Sequence, residues 1–370
     1  MIFAKRVHAF SGHGEMTDKR KTFQMSSITL PINFFTSLCK KAKGVIPWIK
    51  VTFLVPLAVR WRFARHFPTY RIAVRTQYLG GVGGAERHLR AVVESMPDSE
   101  FHLFCENFIK RGFIPKTWNY LLNPKVDQTK TYDIYFYLKI ASPSHPDGLT
   151  WKKSVISAGG KNVHEDEEHF DCIVLQGENG REFCTEQNKC RRVVPDFRVG
   201  LPTRTRRVNH LPHKFFLTVF NPYDRVKGHD IMFRLAPRSC LPIVWSFSTG
   251  TFPPEKYGEM PKVENLIKLR DLSQQELYYL YEKAAGYVSF SRSEGLGWSV
   301  ADAFMFDLPI ISRNTGFVTF IAGQKGVNLY KDEETLQALL QREILETPNY
   351  DKSILKKYSY ERLFDSLLNE

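Results

Sequence analysis

The chain has 370 residues, of which 43% are hydrophobic and 25% are charged, and its formal net charge is +13. This length and apolar content exclude a disordered chain and exceed one ordinary core, so we expect two domains. The six cysteines form no CxxC pair, which favours neither a zinc site nor a disulfide framework. We therefore expect reduced thiols in a cytosol-like compartment.

Residues 1–69 form a basic and partly apolar N-terminal arm. Residues 1–75 contain fourteen Lys/Arg against only Glu15 and Asp18, so twelve of the thirteen net charges lie there. The apolar run at 45–59 is shorter than the roughly 20 residues of a membrane-spanning helix. We predict peripheral contact with an anionic membrane surface, at its cytoplasmic face. An arm packed on the body, or a later start of the chain, is the alternative. The rest of the chain has no basic stripe typical of nucleic-acid binding.

Strands and helical segments alternate from residue 70 to about residue 205. The spacing of Leu89, Val92, Val93 and Met96 predicts an amphipathic helix that begins near Ala85. Strands are predicted at 71–79, 101–106, 132–140, 154–158 and 171–176. This alternation indicates an α/β N-terminal domain over 70–205, with a parallel sheet.

A proline-bearing connection at 194–212 precedes a second alternating half, which we assign to a C-terminal domain over 206–370. Strands are predicted at 214–220, 242–248, 264–269, 286–290 and 308–312, and helices at 229–236, 273–285 and 298–306. Two α/β halves joined by a linker enclose a cleft, which is the usual place for a ligand.

Two glycine-rich loops lie between a predicted strand and a predicted helix. In "GGVGG", Gly83 and Gly84 permit a ligand to approach the backbone closely, and a plain tight turn is the alternative. A dinucleotide fingerprint is incomplete there, because Glu86 stands in the third glycine position, although Glu106 falls near the expected ribose acid. In "SRSEGLGWSVAD", a helix opens after glycines, and such a helix N-terminus favours a phosphate.

Three motifs in order resemble the retaining GT-B glycosyltransferases with the glutamate-x(7)-glutamate signature, known as glycosyl transferases group 1, family 4. The motifs are "GGAERHL" (83–89), "RVKGHD" (225–230) and "SRSEGLGWSVADAFMFDLPIISRNTG" (291–316). The resemblance covers about residues 70–370. It implies two Rossmann-like domains that face each other across a cleft. It also implies a nucleotide-sugar donor in the C-terminal domain, an acceptor in the N-terminal domain, and neither metal nor cofactor.

The resemblance assigns catalytic roles to three residues. Lys227 is expected on the donor diphosphate and Glu294 on the hydroxyls of the transferred sugar. The family's arginine before the lysine is replaced here by Pro222, so Arg225 is the candidate substitute. A lysine and a helix N-terminus stabilise the charge that develops on a departing diphosphate, so this chemistry needs no metal.

The resemblance also implies a donor-binding set and two residues on the acceptor side. Asp302 stands where the family has its second glutamate, and is expected on the ribose directly or through water. Lys161 and His164 replace a family histidine that faces the transferred sugar. The remaining donor-binding candidates are Gly83, Gly84, Arg270, Leu272, Gly297, Trp298, Ser299 and Val300.

The sequence thus predicts a retaining glycosyltransferase, a hexosyltransferase, that acts at the cytoplasmic membrane face. The expected acceptor is a glycan or a lipid-linked molecule in the synthesis of a cell-surface polysaccharide. A binding-only GT-B protein that has lost its activity is one alternative. A nucleotide-sugar epimerase is the other, although "GGAE" and "KGH" argue against it.

Overall fold

Two parallel β-sheets, one in each half of the body, organise the protein. The structure is a computed structural model, and it describes residues 69–79, 84–108, 120–138, 148–157, 167–177, 186–198, 201–222, 225–248 and 260–370. The N-terminal arm and the candidates Gly83, Lys161 and His164 lie outside these ranges.

The first sheet has seven strands in the described part of the chain, in the order β3-β2-β1-β4-β5-β6-β7. They are β1 Arg71–Leu79, β2 Glu100–Phe108, β3 Tyr120–Leu122, β4 Thr131–Leu138, β5 Thr150–Ser157, β6 Cys172–Leu175 and β7 Cys190–Arg192. All neighbouring pairs run parallel. Helix α1 (Gly84–Ser95) connects β1 to β2. Its predicted apolar stripe is buried against the sheet at Leu89, Val92, Val93 and Met96.

The second sheet has six parallel strands in the described ranges, in the order β10-β9-β8-β11-β12-β13. They are β8 Phe216–Val219, β9 Ile243–Phe247, β10 Leu266–Arg270, β11 Gly286–Val288, β12 Ile310–Ser312 and β13 Val327–Leu329. The helices of this half are α2 His229–Leu235, α3 Gln274–Lys283, α4 Trp298–Met305, α5 Val318–Ile321, α6 Glu333–Leu340, α7 Ile354–Lys357 and α8 Tyr360–Asn369.

The last helix, α8, packs on the first sheet although the chain has already built the second one. Tyr360, Leu363, Phe364 and Leu367 belong to the same buried cluster as the first-sheet strands. We therefore use "first domain" for the β1–β7 sheet with α1 and α8, and "second domain" for the β8–β13 sheet with α2–α7. The chain crosses between them twice, and the Val194 N–H donates to the Tyr358 carbonyl over 2.8 Å where the two crossings meet.

The predicted strands and helices of the alternating pattern are present, with shifts of a few residues at their ends. The sequence did not predict β3, β7, β13 or the helices after residue 316. The three strands have only three residues each, which is too short to show a period of two. None of the helices in the described part of the chain combines the length and the apolar character that crossing a bilayer requires.

The expectation of reduced thiols is wrong at Cys190, which is disulfide-bonded. Its partner lies outside the described residues. Cys105, Cys172 and Cys240 are free.

Candidate active site

The candidate site lies where the strand order of the second sheet reverses. Strands β8 and β11 are parallel neighbours, and their helical connections depart in opposite directions across the sheet. The loop after β8 carries Lys227, and the loop after β11 carries Glu294. Because ligands of open α/β sheets bind beyond the carboxyl ends of the strands at this position, the two side chains stand where a ligand is expected.

Lys227 and Glu294 form an ion pair. The lysine Nζ lies 2.6 Å from Oε2 of the glutamate, and the two side chains are 25% and 11% exposed. The second carboxylate oxygen accepts a hydrogen bond of 2.5 Å from the Ser291 hydroxyl. The Glu294 N–H donates to the Thr315 hydroxyl over 2.9 Å. Three groups therefore fix the position of Glu294, while the lysine is held by its carboxylate.

Gly228 explains why the two loops come so close. Its φ is +71°, a left-handed conformation, and a Cβ there would lie 2.2 Å from the carbonyl oxygen of Phe290. Only glycine fits this contact. It holds the 3-10 turn Arg225–Lys227 against the Glu294 loop, and the Arg292 N–H donates to the Val226 carbonyl over 2.8 Å.

Helix α4 begins at the same edge of the sheet. Gly297 is its N-cap residue with φ +79°, so no side chain caps the first turn. The Ser299 hydroxyl lies 2.7 Å from the Tyr287 hydroxyl, and the Ser299 carbonyl accepts from Tyr281 over 3.0 Å. Val300 is buried in the second-domain core. The start of α4 is thus anchored from behind by two buried tyrosines.

Asp302 lies one turn further along α4 and is buried, with a side chain that is 3% exposed. Arg87 of helix α1 grips it with both terminal nitrogens, over 2.9 Å from Nη1 to Oδ2 and 2.6 Å from Nη2 to Oδ1. The same guanidinium lies 4.5 Å from the centre of the Trp298 ring and 3.5 Å from the Tyr278 hydroxyl. The acidic residue that the resemblance places on a ribose is therefore held by an arginine of the first domain.

The electrostatics of this pair are those of a buried salt bridge. Burial raises the pKa of the Asp302 carboxyl, and Arg87 works against that shift. Burial alone would lower the pKa of Arg87, but the Asp302 charge and its hydrogen bonds raise it overall. The raised pKa of Asp302 disfavours the charged pair, whereas the raised pKa of Arg87 favours it. We take the pair as ionic at neutral pH, because both carboxylate oxygens accept from the guanidinium.

Close contacts at two glycines of the first domain bring the two domains together beside this ion pair. A Cβ on Gly84, at the start of α1, would lie 3.0 Å from the Trp298 ring. A Cβ on Gly177, after β6, would lie 2.8 Å from the Cα of Gly316. Gly316 has φ +57°, so its own conformation also favours glycine. The first domain therefore touches the Glu294 loop region and α4 directly.

The other candidates make fewer contacts. Arg225 is exposed, and its side chain has no hydrogen bond or ion pair within the described residues. Arg270 is exposed at the end of β10, where its Nε is 3.5 Å from Asp271. Leu272 packs at the margin of the second-domain core. Pro222 is half-buried in the loop after β8.

Sequence reasoning missed Arg87 and a buried polar chain beside it. His88 accepts from the Gln176 amide at Nδ1 over 2.7 Å, and its Nε2 lies 2.5 Å from the Tyr360 hydroxyl. The Gln176 amide also donates to Ser157 over 2.9 Å. Burial lowers the pKa of His88 to about 3, so the ring is neutral. Both residues were visible in "GGAERHL", but their partners are 215 and 272 residues away.

The described residues contain no group of three or more His, Cys, Asp or Glu side chains placed to hold a metal ion. In the acidic segment "HEDEEH" (164–169), residues 164–166 lie outside the described ranges.

The chain is similar in structure to several solved proteins, whereas no protein-family profile and no curated protein sequence matches it. AviGT4, a glycosyltransferase involved in avilamycin A biosynthesis, is 12% identical and has a TM-score of 0.55, covering 81% of this chain and 96% of AviGT4. The lipopolysaccharide outer core galactosyltransferase WaaB is 14% identical with a TM-score of 0.53, covering 81% and 98%. HepE from Anabaena, in complex with UDP, is 10% identical with a TM-score of 0.50, covering 81% and 94%.

At such low identity, these similarities establish the fold. The chain has the GT-B architecture, an α/β fold with two Rossmann-like domains, as the resemblance of its motifs implied. The fold hosts many activities, so the function has to be argued from the site.

Proposed function

We propose that this chain is a retaining glycosyltransferase that moves a hexose from a nucleoside-diphosphate sugar to a glycan or lipid-linked acceptor. The observation that carries the proposal is the Lys227–Glu294 ion pair at the strand-order reversal of the second sheet. The similarity to WaaB and AviGT4, two glycosyltransferases, supports the reaction class. The UDP complex of HepE supports a nucleotide ligand and makes UDP-sugars the first donors to test.

The proposed reaction breaks the bond between the sugar and the diphosphate. Negative charge then develops on the departing diphosphate oxygen. Lys227 is a flexible point charge that is a quarter exposed, so it can turn from Glu294 to the diphosphate. The N-terminus of α4, which has a glycine cap, adds N–H groups and the positive end of its dipole.

Glu294 is proposed to accept hydrogen bonds from hydroxyls of the transferred sugar. Its backbone and one carboxylate oxygen are already held by Thr315 and Ser291. When Lys227 moves to the diphosphate, the other oxygen becomes available for the sugar. On donor binding, the Glu294 oxygen thus exchanges Lys227 for a sugar hydroxyl, and Lys227 exchanges Glu294 for the diphosphate. Neither charge is left without a partner.

We also propose that transfer proceeds without a divalent metal, because Lys227 and the helix N-terminus supply fixed positive charge. Activity should then persist in excess EDTA. Loss of activity in EDTA, with recovery on added Mg²⁺ or Mn²⁺, would contradict this part of the proposal.

The basic arm suggests that the protein binds its acceptor at a membrane surface. It lies outside the described residues, and the proposal of an anionic membrane surface rests on its composition alone. A chain that starts at Tyr70 should bind donor normally and lose activity mainly toward a lipid-linked acceptor. The full chain should pellet with anionic vesicles of phosphatidylglycerol and less with neutral ones, and high salt should release it partly. Equal pelleting of the two chains would contradict membrane contact by the arm.

The central experiment is a thermal-shift and turnover screen against UDP-, GDP- and ADP-hexoses. Binding of at least one, with release of nucleoside diphosphate in the presence of acceptor, is the expected result. Glu294→Gln should lower turnover roughly 100-fold or more, the scale of losing one transition-state contact, while nucleotide affinity is kept. Glu334→Gln is the matched control, because Glu334 is exposed on α6 of the same domain.

Two outcomes would replace the proposal, and a third would change its stereochemistry. Donor binding without turnover would indicate a binding-only protein. Release of an epimerised sugar without acceptor would indicate an epimerase. Product of inverted anomeric configuration would overturn the retaining mechanism while leaving the transferase in place.

A further inference from the structure

Helix α1 of the first domain contributes one side chain, Arg87, to the proposed donor site in the second domain, and the proposed function does not account for it. Arg87 reaches out of its own domain to Asp302 and Trp298, both on α4. Its terminal nitrogens hold both Asp302 oxygens, and its face covers the indole ring at 4.5 Å.

The Asp302 carboxylate is largely closed to a ligand while this pair is intact. Its side chain is 3% exposed, against 23% for Arg87. Tyr278 and Tyr281 are both buried, and each is close enough to interact electrostatically with the Asp302 carboxyl. A ribose hydroxyl that donates to Asp302 would have to displace the guanidinium or share a carboxylate already gripped at both oxygens.

We propose that Arg87 is a positioning residue of the donor site, and that Asp302 acts on the donor through Arg87 rather than by accepting a hydrogen bond from the ribose. The inference rests on the proposed function, because it presumes that a nucleoside diphosphate binds at α4.

The physical basis is the bidentate geometry of the Arg87–Asp302 pair. A bidentate guanidinium–carboxylate pair fixes both the distance and the rotation between two groups, which a lysine point charge does not. The cation–π contact fixes the Trp298 ring at the first position of α4. Together they set where the N-terminus of α4 lies relative to the first domain, so the pair decides the width of the cleft at the diphosphate.

The contact also links the two halves of the ligand site. Trp298 touches Gly84 as well as Arg87, and Gly84 belongs to the glycine loop of the first domain. A shift of α4 would therefore press on Gly84, at the start of α1. Loss of the pair should weaken donor binding and raise the donor KM more than it lowers kcat, since the pair touches no reacting atom.

A double-mutant cycle tests this proposal. The variants are Arg87→Lys, Asp302→Asn and the double variant, with Arg204→Lys as a control at an exposed arginine. The probes are UDP, GDP and ADP and their 2′,3′-dideoxy forms, measured by calorimetry at a temperature where circular dichroism shows every variant folded. These conservative changes keep the size of each side chain, so the cycle does not depend on alanine variants that fail to fold.

Each single variant should weaken binding of the active nucleoside diphosphate by a factor on the order of ten, and the double variant should be no weaker than either single one. The ratio of affinities for the ribose and dideoxy forms should be the same in the parent and in Asp302→Asn. Arg87→Lys should not restore binding, because lysine lacks the fork.

Two results would overturn the inference. One is a ribose-to-dideoxy ratio that falls to about one only in the Asp302→Asn variants, which would place Asp302 on the ribose. The other is additive losses in the cycle, which would make the two residues independent. Failure of the parent to bind any of the three diphosphates would overturn the proposed function itself, and the inference with it.

Discussion

The two ion pairs of the site, Lys227–Glu294 and Arg87–Asp302, differ in the elements they join, in geometry and in burial. The first joins two loops of one domain through a single contact of 2.6 Å, and its lysine is 25% exposed. The second joins two domains through a fork of two contacts, and its carboxylate is 3% exposed. The lysine of the first pair can turn to a ligand when one binds. The second pair is buried and bidentate, so it is either intact or lost.

This difference assigns the two pairs different roles: the first serves the ligand, and the second holds the site in shape. A single lysine contact leaves the ammonium free to turn, so Lys227 can serve a ligand. Removing either partner of a buried bidentate pair is strongly destabilising, because the other charge then stays buried without a partner. We therefore expect substitutions at Lys227 to change binding, and substitutions at Arg87 to change stability and the donor site together.

The largest expected effect is on stability and breaks the second pair. Arg87→Ala leaves Asp302 buried without its partner, and should lower the free energy of unfolding by roughly 3–5 kcal/mol. Arg234→Ala is the matched control, because Arg234 pairs with Glu333 over 2.5 Å on the surface, with both side chains more than 40% exposed. Its cost should stay below about 1 kcal/mol. Chemical denaturation measures both, and equal costs would contradict the architectural role of Arg87.

The second effect is on ligand binding and tests the role of the Lys227–Glu294 pair. Lys227→Ala should weaken binding of the active nucleoside diphosphate by about 1.5–3 kcal/mol, since it removes a charge-assisted contact. Lys262→Ala, at an exposed lysine of the same domain, should leave affinity unchanged. Titration calorimetry with UDP, GDP and ADP gives the comparison. Unchanged affinity in the Lys227 variant would remove this residue from the donor site.

The third effect concerns the polar chain that holds α1 to α8. His88 has its pKa lowered by burial from 6.5 to about 3, so the folded ring stays neutral while the unfolded chain takes up a proton below pH 6.5. Stability is therefore unaffected by this group above pH 6.5 and falls as the pH drops from 6.5 toward 3. At pH 5 the loss should be about 2 kcal/mol.

His88→Gln should flatten that slope, whatever its effect on stability at pH 7. His213→Gln, at an exposed histidine, should leave the slope as in the parent. Denaturation midpoints between pH 7 and pH 5 provide the measurement. A parent-like slope in the His88 variant would show that another group controls acid sensitivity.

The smallest effect probes the support of Glu294. Ser291→Ala removes the hydroxyl that donates to Oε1, and should cost about 1 kcal/mol in transition-state stabilisation while nucleotide affinity stays unchanged. The ratio of kcat/KM between parent and variant measures it. A loss as large as that of Glu294→Gln would mean that Ser291 touches the substrate itself.

Much of the second-domain site was predictable because its parts are local in sequence. Lys227 precedes a glycine and a helix, and Glu294 lies within ten residues of β11 and α4, so strand, loop and helix signals placed both at one sheet edge. Parallel strands leave their carboxyl ends on the same side, which brings the two loops together. The roles of these residues stay predictions until the variants are measured.

The first-domain part of the site was not predictable in this way. Arg87 reads as an ordinary polar position of an amphipathic helix, and Asp302 as the ligand that its motif implies. The chain determined by itself that α1 has an apolar stripe at Leu89, Val92 and Val93, because a period of 3.6 residues needs no partner to be read.

The sequence by itself determined the alternation of strands and helices, the glycine positions and the identity of the charged groups. Only the tertiary structure decided that α8 returns to the first sheet, that Tyr360 meets His88, and that Arg87 closes over Asp302. Those contacts join residues more than 200 positions apart, and their partners are selected by burial and by the matching of donors and acceptors in three dimensions. A pattern along the chain records which residues are polar, but not which of them will meet.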